Sequence, residues 1–282
     1  MKKSFLVFLI VLCVFGMMAC KQEPEPKAEP KHEHTFSDTW SSDENNHWHS
    51  ATCEHTDEVA DKAAHTWDSG TDNGNGKITY KCSVCEKTRT TYKTYEIGDE
   101  GPGGGLVFYD CDADNDETND GAGPDGLKSD VCGWRYLECV AANLDSYHRF
   151  GYCRESDDAS NQVVGTSQGI GTGKANTEKL LVAMGDEAYS ASSGSAKTAD
   201  YAARFCDEYS AGGKDDWFLP SREELNLMYI NLCQEDLGDF DWSYCSSSEM
   251  NEFQVYDYNF HTGDKLDSAR SSTLNVRPVR AF

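Results

Sequence analysis

Six of the eight histidines lie between His32 and His65, and Cys53, Cys82 and Cys85 share or adjoin that stretch. Imidazole and thiolate are preferred zinc ligands, and a Cys-x-x-Cys turn aims two thiolates at one point. Cys82-Ser-Val-Cys85 has that spacing. A second ligand pair must come from upstream, where Cys53-Glu-His55 is the best match and His65 or His49 could substitute. The expectation is one structural zinc held by Cys53, Cys82, Cys85 and a histidine, His55 by preference or His65, in a segment too small for much core. An exported chain could instead oxidise Cys82 with Cys85, or pair Cys53 with either. That alternative leaves one cysteine over and does not account for the histidines.

Other constellations carry weaker chemistry. Asp112-x-Asp114-x-Asp116 has the carboxylate spacing of a calcium loop. Glu117 stands where an EF-hand needs Gly, and no Glu occupies the twelfth position. A looser calcium site at Asp112, Asp114 and Asp116, or a solvated acidic loop, remains. Gly165-Thr-Ser167-Gln-Gly169 matches the nucleophile-elbow pattern, which needs a strand before the serine and a helix directly after it. Ile170-Gly-Thr-Gly173 follows and reads as loop, so the serine is expected to be structural. Cys111 and Cys132 flank the acidic insert and could staple its base. Cys206, on the apolar face of an expected helix over 198–209, reads as a buried free thiol.

The elements that position these residues can be read in turn. Trp217-Phe218-Leu219 reads as a short buried strand stopped by Pro220. Ser221 and Glu224 form a capping box. Leu225, Met228, Tyr229 and Leu232 follow on one helical face. Asn176 is expected to cap a helix carrying Leu180, Leu181 and Met184, ended by Gly185. Short strands are expected at Leu106–Tyr109, Trp242–Cys245, Gln254–Phe260 and Val276–Val279. Arg277 and Arg280 are expected to pair with core carboxylates such as Glu249 or Glu224.

Lys2-Lys3 followed by the apolar run from Phe5 to Met18 reads as an export signal, too short for a comfortable membrane span. Ala19-Cys20 sits where a lipoprotein leader is cleaved, which makes Cys20 the expected lipidation site. Residues 21–33 are Pro-rich and charged, and read as a semi-rigid tether of about 3.1 Å per residue. The formal net charge is −24. Such a chain repels nucleic acid and anionic lipid, and suits cations, neutral glycans or basic partners.

Two resemblances follow from these residues. Residues 34–93, with His34-Thr-Phe36, His65-Thr-Trp67 and the Cys82/Cys85 knuckle, resemble the zinc-ribbon-like modules of bacterial surface proteins. Residues 94–282 resemble a bacterial extracellular family named for the C-terminal domain of a collagen-like adhesin, a branch of the C-type-lectin-like fold. The matching motifs are Gly104-Gly-Leu-Val-Phe-Tyr109, Gly133-Trp-Arg-Tyr-Leu-Glu138, Asp216-Trp-Phe-Leu-Pro-Ser-Arg-Glu-Glu-Leu225, Tyr244-Cys-Ser-Ser-Ser-Glu249, Asn259-Phe260 and Val276-Arg-Pro-Val-Arg280. The family has Trp where this chain has Cys245.

The resemblance implies an α+β fold: a C-type-lectin-like domain behind a small β-rich module. It implies a non-enzymatic binding protein, and the leader with Cys20 implies one lipid-anchored at the outer membrane or cell surface. The expected ligand is a glycan or a host extracellular protein, which would make the protein an adhesin. C-type-lectin-like folds bind on the loops between the central helix and the last strands. Here those loops carry Trp242, Tyr244, Glu249, Phe253, Tyr256 and Asp257. Two alternatives stand beside this one: a thiol-dependent enzyme, which needs a reactive thiol pair in a cleft, and a structural envelope protein.

Overall fold

Strands far outnumber helices in this chain. In the computed structural model, which describes residues 32–113, 127–128, 132–144 and 146–282, strands take 35% and helices 14%. This overturns the α+β C-type-lectin-like expectation: the protein is mostly β and built of several sheets. The reason lies in strands that carry little apolar signal. Thr88–Tyr92 and Asp264–Ala269 are polar and largely exposed, and several others are only two or three residues long. Among the described residues no helix is long and apolar enough to cross a membrane.

The chain divides into two compact units, which part between Ala64 and His65. The first is an antiparallel meander of β1 (Phe36–Ser42), β2 (Asn46–Ala51) and β3 (Val59–Ala64). Asp43 makes its first turn, its Oδ1 accepting from the amides of Asn45 at 2.8 Å and Asn46 at 2.6 Å. An Asx turn of this kind replaces missing ladder bonds. No apolar side chain of residues 32–64 is buried.

The second unit opens with a small sheet of β4 (Thr71–Asp72), β5 (Lys77–Lys81) and β6 (Thr88–Tyr92). A second sheet places β8 (Tyr136–Cys139) between β7 (Leu106–Asp110) and β16 (Val279–Ala281). The largest has the order β14 (Asp264–Ala269), β13 (Gln254–Asn259), β12 (Ser243–Glu249), β15 (Thr273–Asn275), β9 (Tyr147–Arg149), with β12 and β15 parallel. A short ribbon pairs β10 (Ala188–Tyr189) with β11 (Lys197–Thr198). Among the described residues, three α-helices accompany them: α1 (Gly173–Met184), α2 (Ala202–Glu208) and α3 (Arg222–Asn231).

β12 is buried on both faces. Tyr244 joins a cluster with Phe108, Leu225 and Met228, while its neighbour Cys245 joins another with Cys206, Leu180 and Val276. Phe218 and Leu219 divide in the same way between the two clusters. Phe218 bridges Val279, so the expected strand at 217–219 is a single ladder contact.

The capping box stands as read. Ser221 Oγ accepts from the Glu224 amide, and Glu224 reaches back to the Ser221 amide at 2.7 Å. Asn176 does not cap α1, which begins three residues earlier at Gly173. It is buried inside the helix, and its amide bonds both backbone groups of Ser167. Gly185 ends α1 as expected.

Of the two arginines expected to pair with core carboxylates, Arg280 takes others than those named and Arg277 donates to backbone carbonyls. Arg280 bonds Glu138 at 2.8 Å and also Asp216. Glu249 takes Arg270 at 2.8 Å. Arg277 donates to the carbonyls of Asp239 and Ala141 and lies 4.2 Å over Phe240.

Candidate metal centres and an exposed aromatic surface

The residues expected to share one ion fall into two groups. In the first unit, Thr52 N donates to Thr35 O at 2.7 Å, and the two hydroxyls meet at 2.7 Å. That pairing holds the entry to β1 against the exit from β2. Ala51 and Glu58 then close the turn toward β3, with Glu58 N donating to His55 O. The result brings His32, His34, Cys53 and His55 together, their ligand atoms within 4.8 Å of one another. Cys53 Sγ lies 3.5 Å from His34 Nδ1 and 4.0 Å from His55 Nδ1.

In the second unit, β5 runs into the knuckle. Glu86 N donates to Cys82 O, Cys82 N to Lys87 O, and Glu86 takes a left-handed φ of 62°. Ser83 N donates to Thr66 O at 2.9 Å, and Trp67 bridges Cys82. These bonds set His65 beside the knuckle, with His65 Nδ1 3.3 Å from Cys85 Sγ. His65, Cys82 and Cys85 also bring their ligand atoms within 4.8 Å. Burial raises the Cys82 thiol, but the amides of Cys85 and Val84, the His65 side chain and the Thr66 backbone outweigh it and bring the thiol down to about 6. A thiol so lowered is largely thiolate at neutral pH, the form a metal needs.

His32 and His34 are candidate ligands that sequence reasoning missed. Their signal was present: His32-x-His34 mirrors the spacing of Cys53-x-His55.

Among the other described cysteines, Cys111, Cys139, Cys153, Cys206 and Cys245 are buried and Cys132 and Cys233 partly so. Among the described residues no disulfide forms, and Cys111 and Cys132 are both free. Burial, with Asp112, Cys132 and Asp110 nearby, pushes Cys111 up to about 12. Burial likewise raises Cys139, Cys153, Cys206, Cys233 and Cys245. Such thiols are protonated and poorly nucleophilic. Ser167 is tied through its backbone to Asn176 and Ser248, on a loop with no strand before it.

Asp112 lies 3.6 Å from Arg135 Nε, and Arg135 also grips Asp110 with two bonds of 2.9 Å. Asp114, Asp116 and Cys20 lie outside the described residues.

The expected ligand-binding residues separate sharply. Tyr244 is fully buried, its hydroxyl accepting from the Asp241 amide. Glu249 is buried, held by Arg270 and by the amides of Val164 and Gly165. Asp257 is 2% exposed, and burial raises its carboxyl above the usual range. Tyr256 is half-buried under the Arg222 guanidinium, 4.6 Å from its ring. None of these four offers a free face.

Trp242 and Phe253 do, at 60% and 51% exposure. They stand at opposite ends of the β12–β13 hairpin, separated by the seven residues of β12, or about 23 Å at 3.3 Å per residue. They form two surfaces rather than one. At the Trp242 end, the His261 ring lies 4.4 Å from the indole. A hollow of about 260 Å³ opens there, lined by Cys233, Phe240, Asp241, Trp242, Phe260 and His261. Tyr147, on β9, is exposed and donates its hydroxyl to Asp241 Oδ2 at 3.2 Å. Tyr147 and His261 were not singled out in the sequence; only sheet pairing brings β9 to this edge.

No known protein family and no curated protein matches the sequence. Among solved structures, the chain is similar to a fimbrial protein from Bacteroides ovatus, with a TM-score of 0.41 and 12% identity, over 82% of this chain and 62% of that one. The chain thus spans less than two thirds of that protein's length.

Proposed function

We propose that this is an exported binding protein that takes a neutral saccharide on the surface formed by Tyr147, Asp241, Trp242 and His261. The observation that carries the reading is the exposed Trp242 indole, braced by His261 and beside an oriented carboxylate. A flat aromatic face stacks against sugar C–H groups, and a fixed carboxylate accepts from sugar hydroxyls. The formal net charge of −24 disfavours acidic sugars. The buried thiols of Cys206 and Cys245, both raised by burial, give no support to a thiol-dependent enzyme. A panel of immobilised glycans probed with the purified chain tests the reading. Retention on neutral sugars is expected; retention only on a host matrix protein would turn the assignment to a protein ligand.

The leader points to a lipid anchor. Cys20 is the residue expected to begin the mature protein and to carry acyl chains. Mass spectrometry of protein purified from membranes should find a lipidated Cys20 at the N-terminus. A different mature terminus removes the anchor from the account.

The zinc assigned to this unit is structural. His65, Cys82 and Cys85 supply two thiolates and an imidazole, a donor set suited to zinc. The ion would fasten the β5–β6 turn to the chain that precedes β4.

A further inference from the structure

We propose that residues 32–64 hold a metal ion of their own, bound by His32, His34, Cys53 and His55 and separate from the one assigned to His65, Cys82 and Cys85. The inference is independent of the saccharide reading. It starts from geometry. With zinc–nitrogen bonds of about 2.0 Å and zinc–sulfur bonds of about 2.3 Å, a tetrahedral site puts nitrogen and sulfur about 3.5 Å apart. Cys53 Sγ and His34 Nδ1 lie 3.5 Å apart. His55 Nδ1 is 4.0 Å from the same sulfur. His32 and His55 are exposed at the rim of the group, with ring centroids 4.7 Å apart, so small rotations close the set.

The donors select the metal class. Three imidazoles and one thiolate suit zinc, whereas calcium and magnesium take oxygen ligands. No second cysteine belongs to this group, so a disulfide is not the competing fate of Cys53 here. Binding needs the Cys53 thiolate, so its proton passes to solvent as the sulfur–metal bond forms.

The fold supplies the reason for an ion. A three-stranded meander with no buried apolar side chain has little to offset the entropy of ordering its chain. A metal that joins the residues before β1 to the β2–β3 turn supplies binding free energy that is also folding free energy. His32 and His34 enter from outside any strand, while Cys53 and His55 come from the turn. The ion would tie together two segments that also meet through the Thr35–Thr52 contacts and the β1–β2 ladder.

The test uses the full chain, reduced, stripped with chelator and titrated with cobalt(II) or zinc. Wild type should bind about two equivalents, and Cys53→Ser or His34→Ala about one. The cobalt left in Cys53→Ser should show the charge-transfer band of two thiolates. In the Cys82→Ser/Cys85→Ser variant, the remaining ion should show about half that intensity, as expected for one thiolate. His34→Cys should keep the second ion and strengthen its band, which a protein that had merely lost its fold would not do. Two ions retained in Cys53→Ser would overturn the proposal. So would one ion per wild-type chain that is lost both in Cys53→Ser and in Cys82→Ser/Cys85→Ser, because that outcome restores a single shared site. Loss of the ion in His34→Cys also counts against it. A chain that binds only through the Cys53 group leaves this proposal standing and removes the zinc at His65, Cys82 and Cys85.

Discussion

Glu224 joins two helix starts through one buried carboxyl. It closes the capping box of α3, and it accepts from the amides of Gly171 and Gly173 at the start of α1. Burial pushes its pKa up to about 7, against the amides of Ser221, Gly173 and Gly171, which favour the anion. A raised carboxyl pKa means the folded state holds its proton more tightly than the unfolded state. Its contribution is therefore fully present below the unfolded value of about 4.5 and is lost as pH rises through about 7. The span corresponds to a loss on the order of 3 kcal/mol. Glu224→Gln should flatten the fall in stability between pH 5 and pH 8, measured by urea unfolding at each pH. Parallel curves for variant and wild type would remove Glu224 as its source. The sequence showed the capping box because cap and partner are three residues apart. It did not show the two glycine amides, which come from some fifty residues upstream.

At the scale of elements, local signals were read correctly and long-range ones were not. Ser221, Pro220 and Gly185 each act within one turn, so the stop before α3, the start of α3 and the end of α1 were legible. Asn176 was misread because its partners, the backbone of Ser167 and Ser247 Oγ, are set by tertiary packing rather than by helix entry. Burial does not alternate along β12, because the strand is buried on both faces, so Tyr244 and Cys245 both leave the surface. Trp242 precedes the strand and escapes its period altogether. The His/Cys groups were legible as a composition but not as sets, because the β2–β3 register and the 52–58 turn decide which histidine meets which cysteine. Ser221→Ala tests the capping box directly. It removes the acceptor for the Glu224 amide and the donor to Gly169 O, at 2.9 Å, inside a buried site. The expected loss is about 1–2 kcal/mol, read from the denaturation midpoint at constant slope. A midpoint unchanged by the substitution would mean that the cap adds nothing to α3.

At the scale of the whole molecule, the described residues divide into a small unit ending at Ala64 and a larger β-rich unit. The resemblance that implied a C-type-lectin-like fold rested on motifs that turn out to build a buried sheet and its corner: Trp217, Phe218, Leu219, Tyr244, Val279 and Arg280 are all core. Those residues report how the unit packs, while the exposed residues report what it meets. The central claim is that the Trp242 edge is the recognition surface. The measurement that tests it most directly compares wild type, Trp242→Ala and Phe253→Ala for affinity to a glycan retained by the wild-type chain, with melting temperature recorded for each. The account predicts at least about tenfold weaker binding for Trp242→Ala, or about 1.4 kcal/mol, with unchanged binding for Phe253→Ala and melting temperatures close to wild type. Equal affinity in wild type and Trp242→Ala would contradict it, and loss of binding in Phe253→Ala alone would move the surface to the opposite end of the hairpin.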